Sequence, residues 1–257
     1  MKIGLNLREV HITRYVTPLR EGGSLPAIAE ADDAFLYVLK FRGAGQGTKA
    51  LIADFVGGEI ARKLGLRVPE MVFAYLDDRF GKTEPDEEIQ DLLKFSVGLN
   101  LGIHYLSGAI TFDPVLHPVD AGTASEIVWL DAFLTNVDRT AKNTNMLIWH
   151  RELWLIDHGA SLYFHHNWDT WEKQAISPFK PVKDHVLLKY ATRLEAVNAR
   201  AREVITESFI DEVVAAIPSD WLLEDDDRKV YGDFLKIRLK NSEIFVKEAE
   251  DAREALI

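Results

Sequence analysis

Residues 127–161 read IVWLDAFLTNVDRTAKNTNMLIWHRELWLIDHGAS, and their pattern is the strongest indication of the fold of this chain. An apolar helical pattern runs to Leu134, a polar run follows as far as Asn145, and two short apolar segments then flank the polar residues 150–152. The order predicts a helix, a loop and a β-hairpin. Acidic and amide side chains lie at the ends of these elements, so folding is expected to bring them to one edge of a small sheet.

Asp138, Asn143 and Asp157 form a spaced set within this stretch. The first two lie five positions apart in the predicted loop, and the third ends the second strand, just before His158-Gly159. Phosphoryl transfer needs a carboxylate that orients the attacking hydroxyl, and oxygen ligands that hold Mg2+ on the nucleotide phosphates. Each residue taken alone is better explained by a capped turn or a strand end. Taken together, the order of helix, Asp-x-x-x-x-Asn, hairpin and Asp-x-Gly is that of protein kinases.

The composition restricts the class of protein. The chain has 257 residues and is 47% hydrophobic, which is enough for one large domain or two lobes around a cleft. A formal net charge of -11 disfavours direct binding to nucleic acids or anionic membranes, and the lack of cysteine excludes disulfides and Cys-based zinc sites. The N-terminal residues do not read as a signal peptide, and no apolar run reaches the roughly 18 residues of a membrane helix. A soluble, cytoplasmic protein is therefore expected.

The N-terminal part contains candidate nucleotide-binding groups. A turn with Gly22-Gly23-Ser24 precedes an apolar, aromatic strand at residues 35–41 that carries Lys40. This order is typical of a phosphate-covering turn and of the lysine that pairs with the phosphates, although a flexible turn and a surface lysine have the same composition. Residues 42–49 (RGAGQGTK) lack the Gly-Lys-Ser/Thr order of a P-loop, so they are expected to form a flexible connection.

Two segments of this chain resemble those of a known family. Thr135-Asn136-Val137-Asp138-Arg139 with Asn143, followed by LWLIDHG at 153–159, is similar to the catalytic and metal-binding segments of HipA-like kinases, especially the short stand-alone members. The family is related in fold to phosphoinositide 3-kinase and, more distantly, to protein kinases. The resemblance implies an α+β, two-lobed protein kinase-like fold. A small, sheet-containing N-lobe is expected at residues 1–76 and a mainly helical C-lobe at residues 77–257.

The resemblance also implies roles for the spaced set. Asp138 matches the catalytic carboxylate of the family, and Asn143 and Asp157 match its Mg2+ ligands. Many relatives read Asp-Arg-His at the first of these positions, whereas this chain has Thr140 in place of the histidine. That departure leaves open an alternative, in which the protein is a catalytically silent nucleotide-binding or scaffold protein on the same fold.

Lys40, together with Gly22-Gly23-Ser24, is expected to bind ATP. The helix predicted at residues 48–64 offers two acids that could pair with Lys40. Relatives carry a Glu at the position of Asp54, whereas the separation of Glu59 from Lys40 is close to that in protein kinases. Glu59 could instead form an ion pair within its own helix. We favour Asp54 as the partner that positions Lys40.

The sequence therefore predicts an ATP- and Mg2+-dependent phosphotransferase, a Ser/Thr protein kinase of the HipA-like type. A small-molecule kinase is a further alternative, because nothing in the residues distinguishes one hydroxyl acceptor from another. Relatives include toxin-type kinases, but the sequence does not identify an antitoxin-type partner.

The aromatic segment with His165-His166 lies where a substrate or activation loop is expected, and adjacent histidines lack the spacing of most zinc sites. Residues 182–217 and 228–252 are predicted as amphipathic helices beneath the catalytic lobe.

Overall fold

The computed structural model describes residues 5, 7–19, 25–80, 85–222 and 228–256. Within these ranges the chain forms an N-terminal lobe built on a β-barrel and a C-terminal lobe built mainly of helices. The predicted turn Gly22-Gly23-Ser24 lies outside the described residues. No helix in the described ranges is long and apolar enough to cross a membrane.

Five strands of the N-terminal lobe close into a barrel. They are β1 (Glu9–Pro18), β2 (Ala27–Ala31), β3 (Leu36–Lys40), β4 (Met71–Leu76) and β5 (Gly98–His104). Their order around the barrel is β1-β2-β3-β5-β4, and β4 pairs with β1 in parallel while every other pair is antiparallel. Fully buried and less buried side chains alternate along β2 and β3, as expected for strands with one face on a core.

Helix α1 (Thr48–Lys63) contacts both β5 of the barrel and the C-terminal lobe. Every residue from 51 to 61 is buried, including the charged Asp54. A helix that is buried on all sides lies inside the molecule rather than on its surface. The helix is followed by Gly65, whose φ of 91° is in the left-handed region that glycine adopts without strain. Because α1 packs against both lobes, a change in its packing would affect both of them.

The barrel extends past residue 76, where the sequence suggested that the N-lobe ends. Helix α2 (Glu87–Phe95) follows β4, and β5 then pairs with both β3 and β4. Without β5 the inner edges of these two strands would keep unpaired N–H and C=O groups. The barrel is therefore complete only at His104, and the chain enters the C-terminal lobe after that residue.

The C-terminal lobe is arranged around α3 (Ala121–Leu134). Its N-cap residue Asp120 accepts hydrogen bonds from the N–H groups of Gly122 (2.8 Å) and Thr123 (3.1 Å). The helix, loop and hairpin predicted for residues 127–161 are all observed. The remaining elements are β6 (Ile110–Thr111), β7 (Met146–Trp149), β8 (Glu152–Leu155), α4 (Trp171–Ala175), α5 (Leu194–Val204), α6 (Glu207–Ala215), α7 (Arg228–Lys240) and α8 (Ser242–Glu254).

Residues 182–190 differ from the start of the amphipathic helices predicted for residues 182–217. This region contains two short 3-10 helices, Lys180–Asp184 and Leu188–Tyr190, and regular helix begins only at Leu194. The side chain and backbone of His185, between the two, contact α3 and the loop after it. These tertiary contacts override the local helical pattern.

A segment near the C-terminus returns to the N-terminal lobe. Trp221, at the end of the 3-10 helix Ser219–Trp221, is fully buried and donates its Nε1–H to the Leu99 carbonyl at 3.0 Å. Its ring meets Phe73 of β4 edge-on, with 5.7 Å between the ring centroids. Arg42 also donates to the Asp220 carbonyl at 3.1 Å. The C-terminal lobe thus holds the barrel through a contact separate from the chain connection after β5.

Candidate active site

Lys40, the last residue of β3, lies between two carboxylates. Its Nζ is 2.7 Å from Asp54 Oδ2 and 2.6 Å from Asp157 Oδ1. Glu59, the other acid of α1 considered from the sequence, pairs with Arg62 on the same helix. Of the two acids, Asp54 is therefore the one that contacts Lys40. The three side chains join a strand of the barrel, helix α1 and the end of the C-terminal hairpin.

The pKa values of these three groups follow from burial and charge. Burial by itself would lower the pKa of Lys40, but attraction to Asp54 and Asp157 outweighs it and raises the pKa. The ammonium of Lys40 lowers the pKa of Asp157. Asp54 is only 2% exposed, and this burial raises its pKa to about 6 despite the nearby ammonium. The site thus holds one cation firmly between two carboxylates.

The segment from Asp157 to Gly159 packs tightly on α1. Asp157 has a φ of 54°, in the left-handed region that is unfavourable for most side chains. The His158 N–H donates to Asp54 Oδ1 at 2.6 Å, which ties this backbone to the helix. A Cβ at Gly57 would lie 2.6 Å from His158 Cβ, and one at Gly159 would lie 3.1 Å from Asp54 Oδ2. The two glycines therefore permit an approach that side chains would obstruct.

Asp138 lies in the loop between α3 and β7, where two carboxamides hold it. Asn143 Nδ2 (2.7 Å) and Asn145 Nδ2 (3.2 Å) both donate to Asp138 Oδ2. The Asp138 N–H donates to Asn136 Oδ1 at 3.1 Å. The sequence pattern singles out Asn143 but not Asn145, because an Asn before a strand carries no chemical signature of its own.

A buried ion pair anchors this loop. Asp131 of α3 accepts hydrogen bonds from Arg139 Nε (2.5 Å), Asn136 Nδ2 (2.9 Å) and His185 Nε2 (2.9 Å). His185 Nδ1 accepts from the Leu187 N–H at 3.0 Å, so the ring proton lies on Nε2 and faces Asp131. Burial would raise the pKa of Asp131, but Arg139 and His185 outweigh it and lower the pKa. The sequence analysis did not single out Asp131, although a carboxylate inside an apolar helical pattern is a general indication of a buried polar network.

A cleft of about 1650 Å³ lies between the lobes, and some of these groups line it. Asp54 and Asp138 do not line the cleft: Asp54 is buried behind Lys40, and Asp138 contacts the lining carboxamides. Of the predicted site residues that the structure describes, those that line it are Lys40, Asn143 and Asp157, together with Asn145. The cleft therefore brings residues that are more than one hundred positions apart in the sequence to a shared surface.

The histidine-rich segment packs against α1 and α7. Lys49 Nζ donates to the His165 carbonyl at 2.5 Å and lies 5.6 Å from the centroid of the Trp168 ring. His165 is buried, which lowers its pKa to about 3, and its Nδ1 is 3.3 Å from the Tyr231 hydroxyl. Among the residues that the structure describes, no group of three or more His, Cys, Asp or Glu could hold a metal ion. The contacts of His165 are those of a packed core residue.

Two solved structures share this fold over nearly the whole chain. The Helicobacter pylori proinflammatory kinase CtkA has a TM-score of 0.57 at 13% identity, covering 98% of this chain and 99% of that one. A Golgi casein kinase, solved with Mn and ADP bound, has a TM-score of 0.51 at 11% identity, covering 97% of this chain and 74% of that one. At such identities the likeness shows the fold alone. That fold is the two-lobed, protein kinase-like one predicted from the sequence.

A comparison that covers most of the sequence identifies the family of this chain. A family model described as HipA-like kinase matches residues 12–245, so the chain belongs to the HipA-like kinase family. The family predicted from the sequence is thereby confirmed. A search of curated proteins gave no match. The protein is thus a member of a kinase family and has a protein kinase-like fold.

Proposed function

We propose that the protein transfers the γ-phosphoryl group of ATP to the hydroxyl of a Ser or Thr side chain in a protein substrate, in a Mg2+-dependent reaction. The observation that carries this proposal is the pairing of Lys40 with Asp54 and Asp157, at a cleft that Asn143 also lines. A fixed ammonium beside a carboxylate and a carboxamide suits the phosphates of a nucleotide and their metal ion. Membership of a kinase family supports the same reaction class.

The cleft has the walls and the size for ATP and an acceptor. Apolar side chains from both lobes line it, and they can enclose a flat adenine ring: Val38, Ile103, Leu106, Leu147 and Ile156. The volume of about 1650 Å³ exceeds the roughly 300–1,000 Å³ of a typical small-molecule site. The difference leaves room for an acceptor segment beside the nucleotide. Lys40 would then contact the phosphates, positioned by Asp54.

Gly22-Gly23-Ser24 is proposed to cover the phosphates. The strand ends on either side of this turn meet at the cleft, where Pro18 is the register partner of Ala27 and the Leu19 N–H donates to the Pro26 carbonyl at 2.7 Å. Pro18, Leu19 and Pro26 all line the cleft. The described residues on both sides of this segment therefore lie at the cleft, which supports the proposal that its backbone contributes to nucleotide binding.

Asp157 and Asn143 are the residues proposed to hold Mg2+. The side chain of Asp157 is 44% exposed, and it supplies the carboxylate oxygens that this cation prefers. Asn143 donates its Nδ2–H to Asp138, so the oxygen of the same carboxamide is suited to be a ligand. These donors fit a hard cation that keeps several waters and also binds phosphate oxygens. When bound, Mg2+ would neutralise negative charge on the phosphates.

Asp138 is proposed to orient the acceptor hydroxyl and take its proton. The hydroxyl oxygen forms a bond to the γ-phosphorus as the bond to the bridging oxygen of ADP breaks, and the hydroxyl proton moves to the Asp138 carboxylate. Thr140, which replaces the histidine of many relatives, donates its backbone N–H to the carbonyls of Asp138 and Asn143, each at 2.9 Å. Because any residue except proline can make these bonds, the backbone contacts of this loop do not require a histidine at position 140, which is compatible with an active kinase.

The test is transfer of radiolabel from γ-labelled ATP in the presence of Mg2+, either to the protein itself or to a Ser/Thr-rich protein. We expect Asp138→Ala and Asp157→Ala to reduce the rate by at least about 100-fold, because the first removes the proposed proton acceptor and the second a proposed ligand of the metal ion. The matched control is Asp251→Ala, an exposed acid paired with Lys247 on α8, which should keep the wild-type rate. Label transfer that is unchanged in Asp138→Ala, or absent in wild type with protein and metabolite hydroxyls alike, would refute the kinase proposal.

A further inference from the structure

We propose that Asn145 is a positioning residue that fixes the carboxylate of Asp138 for phosphoryl transfer, an inference that rests on the proposed function. Asn143 and Asn145 both donate to the same oxygen, Asp138 Oδ2. In the described part of the chain no donor contacts Asp138 Oδ1. Two donors on one oxygen fix the rotation of the carboxylate and leave Oδ1 as the atom that faces the acceptor hydroxyl.

The backbone of Asn145 is held on two sides. Its carbonyl accepts from the Ile156 N–H at 3.0 Å and from the guanidinium of Arg139. Its φ of 47° lies in the left-handed region, which Asn adopts more readily than most residues. Only 8% of Asn145 is exposed. Its side-chain amide therefore has a defined position from which to direct Asp138.

Arg139 connects this position to the protein interior. The same guanidinium that donates to the Asn145 carbonyl forms the buried ion pair with Asp131 of α3. Asn145 is thus fixed by α3 through Arg139 and by the β8 side of the hairpin through Ile156. Asp157, the proposed metal ligand, directly follows Ile156. Asn145 consequently sets the position of Asp138 relative to the segment that holds Asp157.

Asn143 and Asn145 differ in the tasks that fall to them. Asn143 is exposed in the loop, and the proposed function assigns its carboxamide oxygen to the metal ion. Asn145 is buried and its side chain contacts Asp138, so positioning this carboxylate is its specific task. Loss of Asn145 should therefore affect the rate of the chemical step more than the binding of nucleotide or metal.

The test compares Asn145→Gly with wild type. Glycine keeps the left-handed backbone without strain and removes only the side-chain amide. We expect kcat for label transfer to fall about 10- to 100-fold, because a small misplacement of a catalytic group has effects of that size. The KM for ATP and the Kd of Mg2+ with a non-hydrolysable ATP analogue should stay within about twofold. His150→Gly is the matched control, since His150 is an exposed left-handed residue of the adjacent hairpin turn (φ 49°) and should behave like wild type.

Crystal structures of wild type and Asn145→Gly, each with the analogue and Mg2+, provide a readout that does not depend on activity. We expect the Asp138 carboxylate to be rotated or to occupy two conformers in the variant and to occupy one in wild type. An unmoved Asp138 carboxylate with kcat within twofold of wild type would refute the proposal. So would a fall in kcat accompanied by an equal loss of nucleotide affinity, which would indicate local unfolding. If wild type were inactive and the Asp138 carboxylate were nevertheless displaced in Asn145→Gly, the proposed kinase function would be refuted. The conclusion that Asn145 positions Asp138 would then still hold.

Discussion

Asp54 combines two tasks in one buried side chain. One oxygen pairs with Lys40 at 2.7 Å, and the other accepts the His158 N–H at 2.6 Å. The residue therefore positions the proposed phosphate-binding lysine and also holds the segment that follows the proposed metal ligand. Because Asp54 is almost completely buried, its ionisation is costly, and this cost appears as its raised pKa.

This raised pKa predicts a pH dependence of stability. The pKa of Asp54 is about 6 in the folded protein and 3.8 as the unperturbed value. Between these pH values the folded state binds more protons at Asp54 than the unfolded state, so rising pH lowers the free energy of unfolding. Relative to Asp54→Asn, wild type should lose roughly 2–3 kcal/mol between about pH 4 and pH 6, at 1.36 kcal/mol for each pKa unit. Urea unfolding of both proteins at several pH values measures the difference, and a constant difference would contradict this origin.

The sequence could predict residues with a strong chemical pattern, but it could not predict their contacts. Asp138, Asn143 and Asp157 stand out by order and spacing, whereas Asn145 and Asp131 gain their importance only when the loop folds back on α3. Whether Lys40 meets Asp54 or Glu59 also depends on how α1 is rotated about its own axis. Spacing alone left both acids available, and the structure turns Asp54 toward Lys40 and Glu59 toward Arg62.

At the scale of elements, the contact between α1 and the segment after β8 connects the two lobes at the cleft. It depends on the absence of a side chain at Gly57, where a Cβ would lie 2.6 Å from His158 Cβ. The neighbouring Gly58 faces Met71, whose flexible side-chain end would be 2.7 Å from an added Cβ. The two adjacent glycines thus meet partners of very different rigidity.

Gly57→Ala and Gly58→Ala should therefore differ in stability. Gly57→Ala is expected to lower the free energy of unfolding by about 1–3 kcal/mol, because His158 is held by its backbone and cannot move aside. It should also weaken ATP binding, since the same packing holds Asp54 beside Asp157. In Gly58→Ala the Met71 side chain can move, and the gain in helix propensity of up to about 1 kcal/mol offsets the crowding. Thermal unfolding and ATP titration of both variants make the comparison, and equal destabilisation would contradict this account.

Some elements can be predicted from local sequence patterns, whereas others depend on contacts with residues that are distant in the sequence. The helix, loop and hairpin of residues 127–161 follow from local patterns. Strand β5 belongs to the barrel because it pairs with β3, about sixty residues earlier, and no local pattern reports such pairing. The 3-10 helices of residues 180–190 result from contacts of His185 with Asp131 and Thr140, which periodicity cannot reveal.

At the scale of the whole molecule, Trp221 forms a second attachment between the lobes. The fully buried Trp221 combines an aromatic contact with Phe73 and a hydrogen bond to the Leu99 carbonyl. The chain connection after His104 is the first attachment. Two attachments restrict the relative motion of the lobes more than a single hinge does, so the angle of the cleft should depend on Trp221.

Trp221→Ala is expected to lower the free energy of unfolding by about 3–5 kcal/mol through the cavity it creates. Trp221→Phe, which keeps most of the apolar volume but leaves the Leu99 carbonyl without its donor, should cost about 1–3 kcal/mol. Hydrogen exchange would locate the effect, with faster exchange expected first in β4 and β5. Equal protection of these strands in wild type and Trp221→Ala would contradict the second attachment.

The closure of the barrel also determines how another protein could bind this kinase. Since β1 pairs with β4, the five described strands of the N-terminal lobe present no open sheet edge, and a partner cannot extend that sheet by adding a strand of its own. In the C-terminal sheet, by contrast, β6 is an outer strand with two exposed side chains, Ile110 and Thr111. Strand addition by an extended peptide is therefore possible at the outer strands of this sheet, β6 and β8, whereas recognition of the N-terminal lobe must rely on side-chain contacts.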